Sequence, residues 1–311
     1  MKIIFFGTPL IALPYLDFLH KNENIVASIS QPDKPKGRGQ KIEEVPVKSF
    51  CKEKNFPIFQ PANLKEPYFL SEISNLKAEI GMVVAYGKII PKELINIFPL
   101  GLFNIHFSLL PHLRGAAPIQ WALLLGDRVS GVTIFQIGES LDTGHILAQK
   151  KIEIEEKDDA ISLEKKLIPL GIQLLEEALA ALKKGTPETK VQTGAITLAP
   201  CLKKENYKIH WEKSSIEISR QVRALIHNGA YCNLPNGKIL KILKADPIFP
   251  AIEGDEALPG AMTSFERGKG FIVKCGIGSL RILELKEEGK KAQDAWSFLQ
   301  GARLKINEKF F

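Results

Sequence analysis

Apolar runs and helical periodicities take turns through the first half of the chain, the pattern expected of a parallel sheet with crossover helices. Lys2–Gly7 is a short apolar run rich in β-favouring residues, followed by a helical stretch to about Lys21. Asn24–Ser30, Pro57–Gln60, Glu79–Ala85, Gly101–His106 and Val129–Ile137 predict further strands, with helical patterns near Pro46–Lys54, Pro91–Phe98 and Ala116–Leu125. Runs this continuous fit strands covered on both faces. Leu163, Leu167, Leu170, Leu174, Leu175, Leu179 and Leu182 recur at helical spacing and predict one long helix over Ala160–Lys184.

Beyond Lys184 the pattern changes. Gly185–Cys201 holds Thr, Gly and Pro without a period, so it reads as a linker. A helix is expected over Ser215–Ile226, then short strands at Ile239–Leu243, Gly260–Ser264, Phe271–Lys274 and Leu280–Leu285, a spacing that suggests a small barrel. The division expected is a larger domain over 1–189, a linker over 190–206 and a smaller domain over 207–311.

With 311 residues, 45% hydrophobic and 25% charged, the composition is that of a globular protein and excludes collagenous, coiled-coil or wholly disordered chains. No apolar run approaches the roughly 20 residues that span a bilayer. The start MKIIFFGTPL is broken by Gly7-Thr8-Pro9 and Pro14, so it reads as a buried strand and helix, and a cytoplasmic location is expected. Cys51, Cys201, Cys232 and Cys275 form no closely spaced pair, so no metal site and no disulfide framework is expected, and the thiols read as buried small hydrophobes. The net charge of +7 is unevenly placed, since residues 200–311 hold 19 Lys and Arg against 13 Asp and Glu. That asymmetry points to an anionic partner, nucleic acid first, beside the plainer reading of a solvated basic surface.

Three segments carry candidate chemistry. In Gly101–Ala122, strand alternation would put Asn104, His106 and Ser108 on one side and Phe103, Ile105 and Phe107 on the other. Open α/β sheets place ligands at the carboxyl ends of their strands, although Asn and His also cap strand ends without further role. In Gly138–Gly144, Asp142 sits between glycines, where it can orient an imidazole or simply bond its own backbone. Gln31–Lys41 carries Lys34, Lys36, Arg38 and Lys41 with two glycines and two prolines, and reads as a basic loop for phosphate, or as a solvated charged one. Gly7-Thr8-Pro9 lacks the further glycines of a dinucleotide or triphosphate turn.

Taken together these segments resemble the methionyl-tRNA formyltransferase family over essentially the whole chain. Asn104-Ile105-His106-Phe107-Ser108-Leu109-Leu110-Pro111 is similar to the signature of enzymes that use 10-formyltetrahydrofolate, and Leu141-Asp142-Thr143-Gly144 to their second signature. Both are shared with formyltransferases acting on a ribonucleotide or amino sugar. Gln31-Pro32-Asp33, Gly37-Arg38-Gly39, Val84-Ala85-Tyr86-Gly87, Arg114-Gly115-Ala116-Ala117-Pro118-Ile119-Gln120 and Leu299-Gln300-Gly301-Ala302-Arg303-Leu304 match the tRNA branch. Phe107 stands where the family usually has a small residue and is expected to alter packing.

The resemblance implies an N-terminal Rossmann-like α/β domain with a mainly parallel sheet and a C-terminal OB-like β-barrel that holds tRNA. It implies formyl transfer to the α-amine of methionyl-initiator-tRNA for translation initiation. Asn104, His106 and Asp142 would be catalytic, and Ser108, Leu109, Leu110, Pro111, Gly138 and Leu141 would contact folate. Lys34, Lys36, Arg38 and Lys41 would contact tRNA. The folate is a co-substrate with no permanently bound cofactor, no membrane partner is expected, and the chain is read as a monomer. Chemically, the amine needs a base and the formyl oxygen needs donors. His106 could serve either need; the expected assignment puts Asn104 and His106 on the oxyanion, with Asp142 holding His106 and draining the proton. The competing readings are a formyltransferase for another amine and an RNA-binding protein with a vestigial folate site.

Overall fold

The computed structural model describes residues 1–36, 41–138, 140–185, 187–248, 257–302 and 304–311. The chain divides into two compact units, one of Met1–Pro118, Val129–Glu153 and Glu164–Pro200, the other of Ile119–Arg128, Ile154–Leu163 and Cys201–Phe311.

The first unit is built on a seven-stranded sheet. In chain order its elements are β1 (Lys2–Gly7), α1 (Leu13–Asn22), β2 (Asn24–Ile29), β3 (Lys34–Lys36), β4 (Lys41–Glu43), α2 (Pro46–Lys54), β5 (Ile58–Phe59), α3 (Pro67–Asn75), β6 (Ile80–Val84), α4 (Lys92–Ile95) and β7 (Leu102–His106). After α5 (Pro118–Leu125) come β8 (Val129–Gln136), β9 (Ile146–Glu153) and α6 (Ala160–Lys183). The sheet order is β5-β2-β1-β6-β7-β8-β9. Pairing is parallel as far as β7, then antiparallel from β7 to β8 and β8 to β9. Ile3, Ile4, Phe5 and Phe6 of β1 are fully buried, each contributing about 1.5–3 kcal/mol, so this unbroken apolar run belongs in the middle of the sheet. On one side Phe6 meets Tyr86 and Phe98 edge-on, at 5.7 and 6.0 Å. Phe107 is buried and meets Tyr15 at 6.1 Å, so its bulk is absorbed in packing.

Three features of this unit depart from the sequence expectations. Strand β9 and helix α3 were not foreseen; β9 is an edge strand whose exposed positions carry Gln149, Lys151 and Glu153, which mask its strand character. The basic segment expected as a loop contains a hairpin, in which Lys34 pairs with Glu43, Pro35 with Ile42 and Lys36 with Lys41. Residues 190–200, where the linker was expected to begin, are hydrogen-bonded into the first unit: Ile146 and Lys190 exchange backbone bonds, Arg114 N–H donates to Thr197 O and Ala199 N–H donates to Arg114 O.

The second unit contains α7 (Lys204–Tyr207), α8 (Ser215–Ala224), β10 (Ala230–Asn233), β11 (Ile239–Ile248), β12 (Met262–Glu266), β13 (Gly270–Lys274), β14 (Ser279–Glu287), β15 (Gln293–Asp294) and α9 (Ala295–Ala302). Its strands pair antiparallel in the order β10-β11-β14-β13-β12, with β15 on β14. Helix α8 begins with a reciprocal cap, Glu217 N–H donating to Ser214 Oγ and Ser214 N–H to Glu217 Oε2. Residues 119–128 and 154–163 belong to this unit: Ile154 N–H donates to Arg128 O between the two segments, and Arg223 of α8 donates to Asp158 O at 2.5 Å. Three of the four thiols are buried as expected; Cys201 is exposed. Among the described residues no helix is long and apolar enough to cross a membrane.

Candidate active site

The last residues of β7 place the central side chains. Asn104 lies between Val83 of β6 and Phe135 of β8, and His106 lies opposite Thr133. The two point to the same face, as strand geometry requires. Among the described residues no hydrogen bond engages the Asn104 amide, which is half-buried. Its two N–H donors are free for a ligand.

His106 is 5% exposed and sits edge-on to Phe135 at 6.4 Å. Its Nε2 is 2.8 Å from the Leu113 carbonyl. A carbonyl oxygen only accepts, so Nε2 carries the proton and donates. In the neutral ring Nδ1 is then the acceptor, and it lies 3.7 Å from Asp142 Oδ2. Burial is the largest influence on this imidazole and pulls its pKa below the ordinary value, against upward pulls from the Asp142 carboxylate and the Leu113 hydrogen bond. Burial thus favours the neutral ring, whose unprotonated Nδ1 is the nitrogen on the Asp142 side.

Asp142 reaches this position along a folded-back turn. The chain leaves β8 beside the amino end of β7, where Ile137 N–H donates to Leu102 O at 2.7 Å, and returns Asp142 to His106 at the other end of that strand. Asp142 adopts a left-handed backbone, φ +52°, and its Oδ2 accepts from Gly115 N–H at 2.8 Å. Gly115 has φ +128°, and a Cβ there would come within 2.5 Å of Ala199 O, so only glycine lets the backbone pass at this point.

The remaining expected folate residues fall into two groups. Ser108, Leu110 and Pro111 are buried, and polar groups of Ser108 and Leu110 are used internally. Ser108 Oγ donates to His112 O at 2.5 Å, Thr133 Oγ1 donates to Ser108 O at 2.6 Å, and Gln149 Nε2 donates to Leu110 O at 3.1 Å. Leu109 is half-buried, while Gly138 and Leu141 are exposed. Of the four basic residues, Lys34 is exposed and donates to Gln31 Oε1 at 3.2 Å. Lys36 and Lys41 are register partners in β3 and β4, and Arg38 lies outside the described residues. Three residues that hold the site were not singled out from the sequence: Leu113, Gln192 and Thr197.

Comparison with known proteins decides among formyl-transfer chemistries. A family model described as formyl transferase matches residues 1–179, and one for the formyl transferase C-terminal domain matches 201–303. A methionyl-tRNA formyltransferase of Thermodesulfovibrio yellowstonii is 42% identical over 307 residues, 98% of this chain and 97% of the relative. One of Fusobacterium nucleatum is 40% identical over 314 residues, 99% of each chain. The chain belongs to the methionyl-tRNA formyltransferase family. It is thus a formyltransferase, and its mostly parallel first sheet and antiparallel second sheet are those of its structural neighbours. The sugar 3N-formyl transferase WlaRD, solved in the presence of dTDP and 5-N-formyl-THF, aligns with a TM-score of 0.67 and 25% identity over 94% of this chain and 99% of that one. HypX from Aquifex aeolicus, solved in complex with tetrahydrofolic acid, aligns with a TM-score of 0.67 at 16% identity; this chain spans 48% of its length, and that likeness concerns the fold.

Proposed function

We propose that this methionyl-tRNA formyltransferase family member moves the formyl group of 10-formyltetrahydrofolate to the α-amine of methionine esterified to initiator tRNA, with Asn104, His106 and Asp142 at the reacting atoms. The observation that carries the assignment is the buried His106, its Nε2–H spent on Leu113 O and its Nδ1 facing Asp142, beside an Asn104 amide with free donors.

That geometry divides the labour differently from the sequence expectation, which put His106 on the oxyanion. A neutral ring with Nδ1 as acceptor has no proton to give the oxyanion, so Asn104 takes that role, donating as negative charge gathers on the formyl oxygen. His106 Nδ1 receives a proton from the attacking amine, and Asp142 stabilises the imidazolium that results. The new C–N bond forms to the methionine nitrogen, the bond from the formyl carbon to N10 breaks, and the proton held at His106 passes to N10. Every atom is accounted for without a covalent enzyme intermediate. On this reading the exposed Gly138 and Leu141 touch the folate, and Ser108, Leu109, Leu110 and Pro111 form its wall.

The tRNA is met by charge. Lys34, Lys36, Arg38 and Lys41 contact the acceptor end, and the basic surplus of residues 200–311 adds salt-sensitive affinity for phosphate. The test is transfer of labelled formyl to initiator Met-tRNA, elongator Met-tRNA, free methionine and an amino-sugar nucleotide. Transfer confined to initiator Met-tRNA supports the proposal. Turnover on the sugar nucleotide alone would leave the donor and change the acceptor.

A further inference from the structure

We infer that the strap of residues 190–199 positions the reacting pair: Thr197 sets the Leu113 carbonyl against His106, and Gln192 sets the backbone that carries Asp142. The inference rests on the roles just proposed for His106 and Asp142. Both strap residues act through other groups and are positioning residues.

Leu113 adopts φ +61°, a conformation that leucine disfavours and that persists only when its surroundings impose it. Thr197 imposes it. Leu113 N–H donates to Thr197 Oγ1 at 2.8 Å, and the same hydroxyl lies 2.6 Å from His112 Nδ1. On either side of this contact Arg114 N–H donates to Thr197 O at 2.9 Å and Ala199 N–H to Arg114 O at 2.7 Å. With its N–H fixed, Leu113 aims its carbonyl at His106 Nε2. The hydroxyl of Thr197 thereby selects the imidazole tautomer, because an acceptor at Nε2 keeps the proton there and leaves Nδ1 as the base.

Gln192 does the same for the carboxylate. Its Nε2 donates to Asp142 O and Gly144 O, both at 2.8 Å, and its Oε1 accepts from Arg114 Nε at 3.1 Å and Nη2 at 2.6 Å. One amide thus ties the acidic turn to the segment that carries Gly115, whose N–H holds the Asp142 carboxylate. Only an amide fits, since a carboxylate in its place would face two carbonyl oxygens without a proton to offer.

The test combines kinetics with 15N spectra of ring-labelled histidine in the full-length protein. Thr197→Val keeps the side-chain shape and removes the hydroxyl. We expect a roughly 10- to 100-fold loss of kcat, the scale of an ångström-sized misplacement, with KM for Met-tRNA changed less than about twofold. The His106 ring signals move from the single Nε2–H tautomer to a mixture, and Thr197→Ser restores both signals and rate. Gln192→Glu lowers kcat by a similar factor while the His106 tautomer stays unchanged. Wild-type kcat and unaltered ring signals in Thr197→Val overturn the inference for Thr197. If that variant does not fold, full kcat in Gln192→Glu overturns the inference for the strap. His106→Ala, run in parallel, separates the two levels: if it retains turnover, the catalytic assignment itself has failed. If it is inactive while Thr197→Val is fully active, only the strap's role falls.

Discussion

The His106 corner and the β3–β4 hairpin are both excursions from one sheet, and they are held by different kinds of group. At His106 the partners are largely backbone: Leu113 O accepts from the ring, and Gly115 N–H donates to the carboxylate that faces it. The hairpin is held at its base by side chains. Asp33 accepts from Lys48, from Gln60 Nε2 at 3.0 Å and from Val45 N–H at 3.1 Å, while Gln31 Nε2 donates to Tyr86 O at 2.8 Å. Burial pulls the Asp33 carboxyl upward, but Gln60, Lys48 and Val45 outweigh it and hold the group below its usual range. Beyond that base the ribbon has three register pairs. A buried base needs fixed dipoles that set one tautomer. On the proposed reading the ribbon meets a polyanion, for which a firm base suffices.

If that contrast is right, substitutions at the corner act on chemistry and those at the hairpin act on binding. The largest effect is expected from Asn104→Ala and His106→Ala, each lowering kcat about 100- to 1,000-fold, the usual cost of removing an oxyanion donor or base. Binding of Met-tRNA, followed by filter retention, should survive both. A loss of binding equal to the loss of rate would erase the distinction.

The acid limb of the rate profile is the next sharpest probe. On the proposed mechanism neutral His106 is the active form, so the rate is full above its pKa and falls about tenfold per pH unit below it. Because the folded pKa is depressed, the midpoint of kcat should lie below the ordinary imidazole value. Asp142→Asn removes an upward pull and should move the limb of any residual activity lower still. Stability carries the same sign. The unfolded imidazole takes up its proton first, so this contribution is present above the ordinary imidazole pKa and lost as pH falls below it.

Smaller effects belong to the hairpin. Replacing Lys34, Lys36 and Lys41 together by Ala should raise KM for Met-tRNA and leave kcat in place. It should also reduce the salt dependence of binding, by up to about 0.7–0.9 in log–log slope for each phosphate the hairpin no longer neutralises. An unchanged slope would remove the hairpin from the tRNA interface. Asp33→Asn, which weakens the base while leaving every hairpin cation, should raise the same KM by no more than roughly fivefold, the scale of a partly exposed ion pair.

How far the sequence could be read follows the same divide. Strand alternation, which is local, puts Asn104 and His106 on one face, whereas their catalytic assignment and that of Asp142 rest on the resemblance to the formyltransferase signatures. Leu113 and Thr197 were not legible. The bond between them spans 84 positions, and it selects a carbonyl direction that no residue type encodes. Gln192 lay in a stretch without period, where its four hydrogen bonds to distant partners leave no pattern. The hairpin was missed for another reason. Proline and glycine argue for a loop when residues are weighed singly, whereas strand character here comes from pairing above the Asp33 base.

The strap also bears on where this protein can be cut. A fragment ending at residue 189 would hold all seven strands of the first sheet, with Asn104, His106 and Asp142 among them, and would look like a portable catalytic module. It would lack Gln192 and Thr197, whose bonds reach back 78 and 84 positions to Arg114 and Leu113. A fragment that keeps these bonds therefore runs past the sheet to at least Pro200, and on the inference above, fusions or circular permutants opened between 189 and 200 separate the chemistry from the residues that aim it.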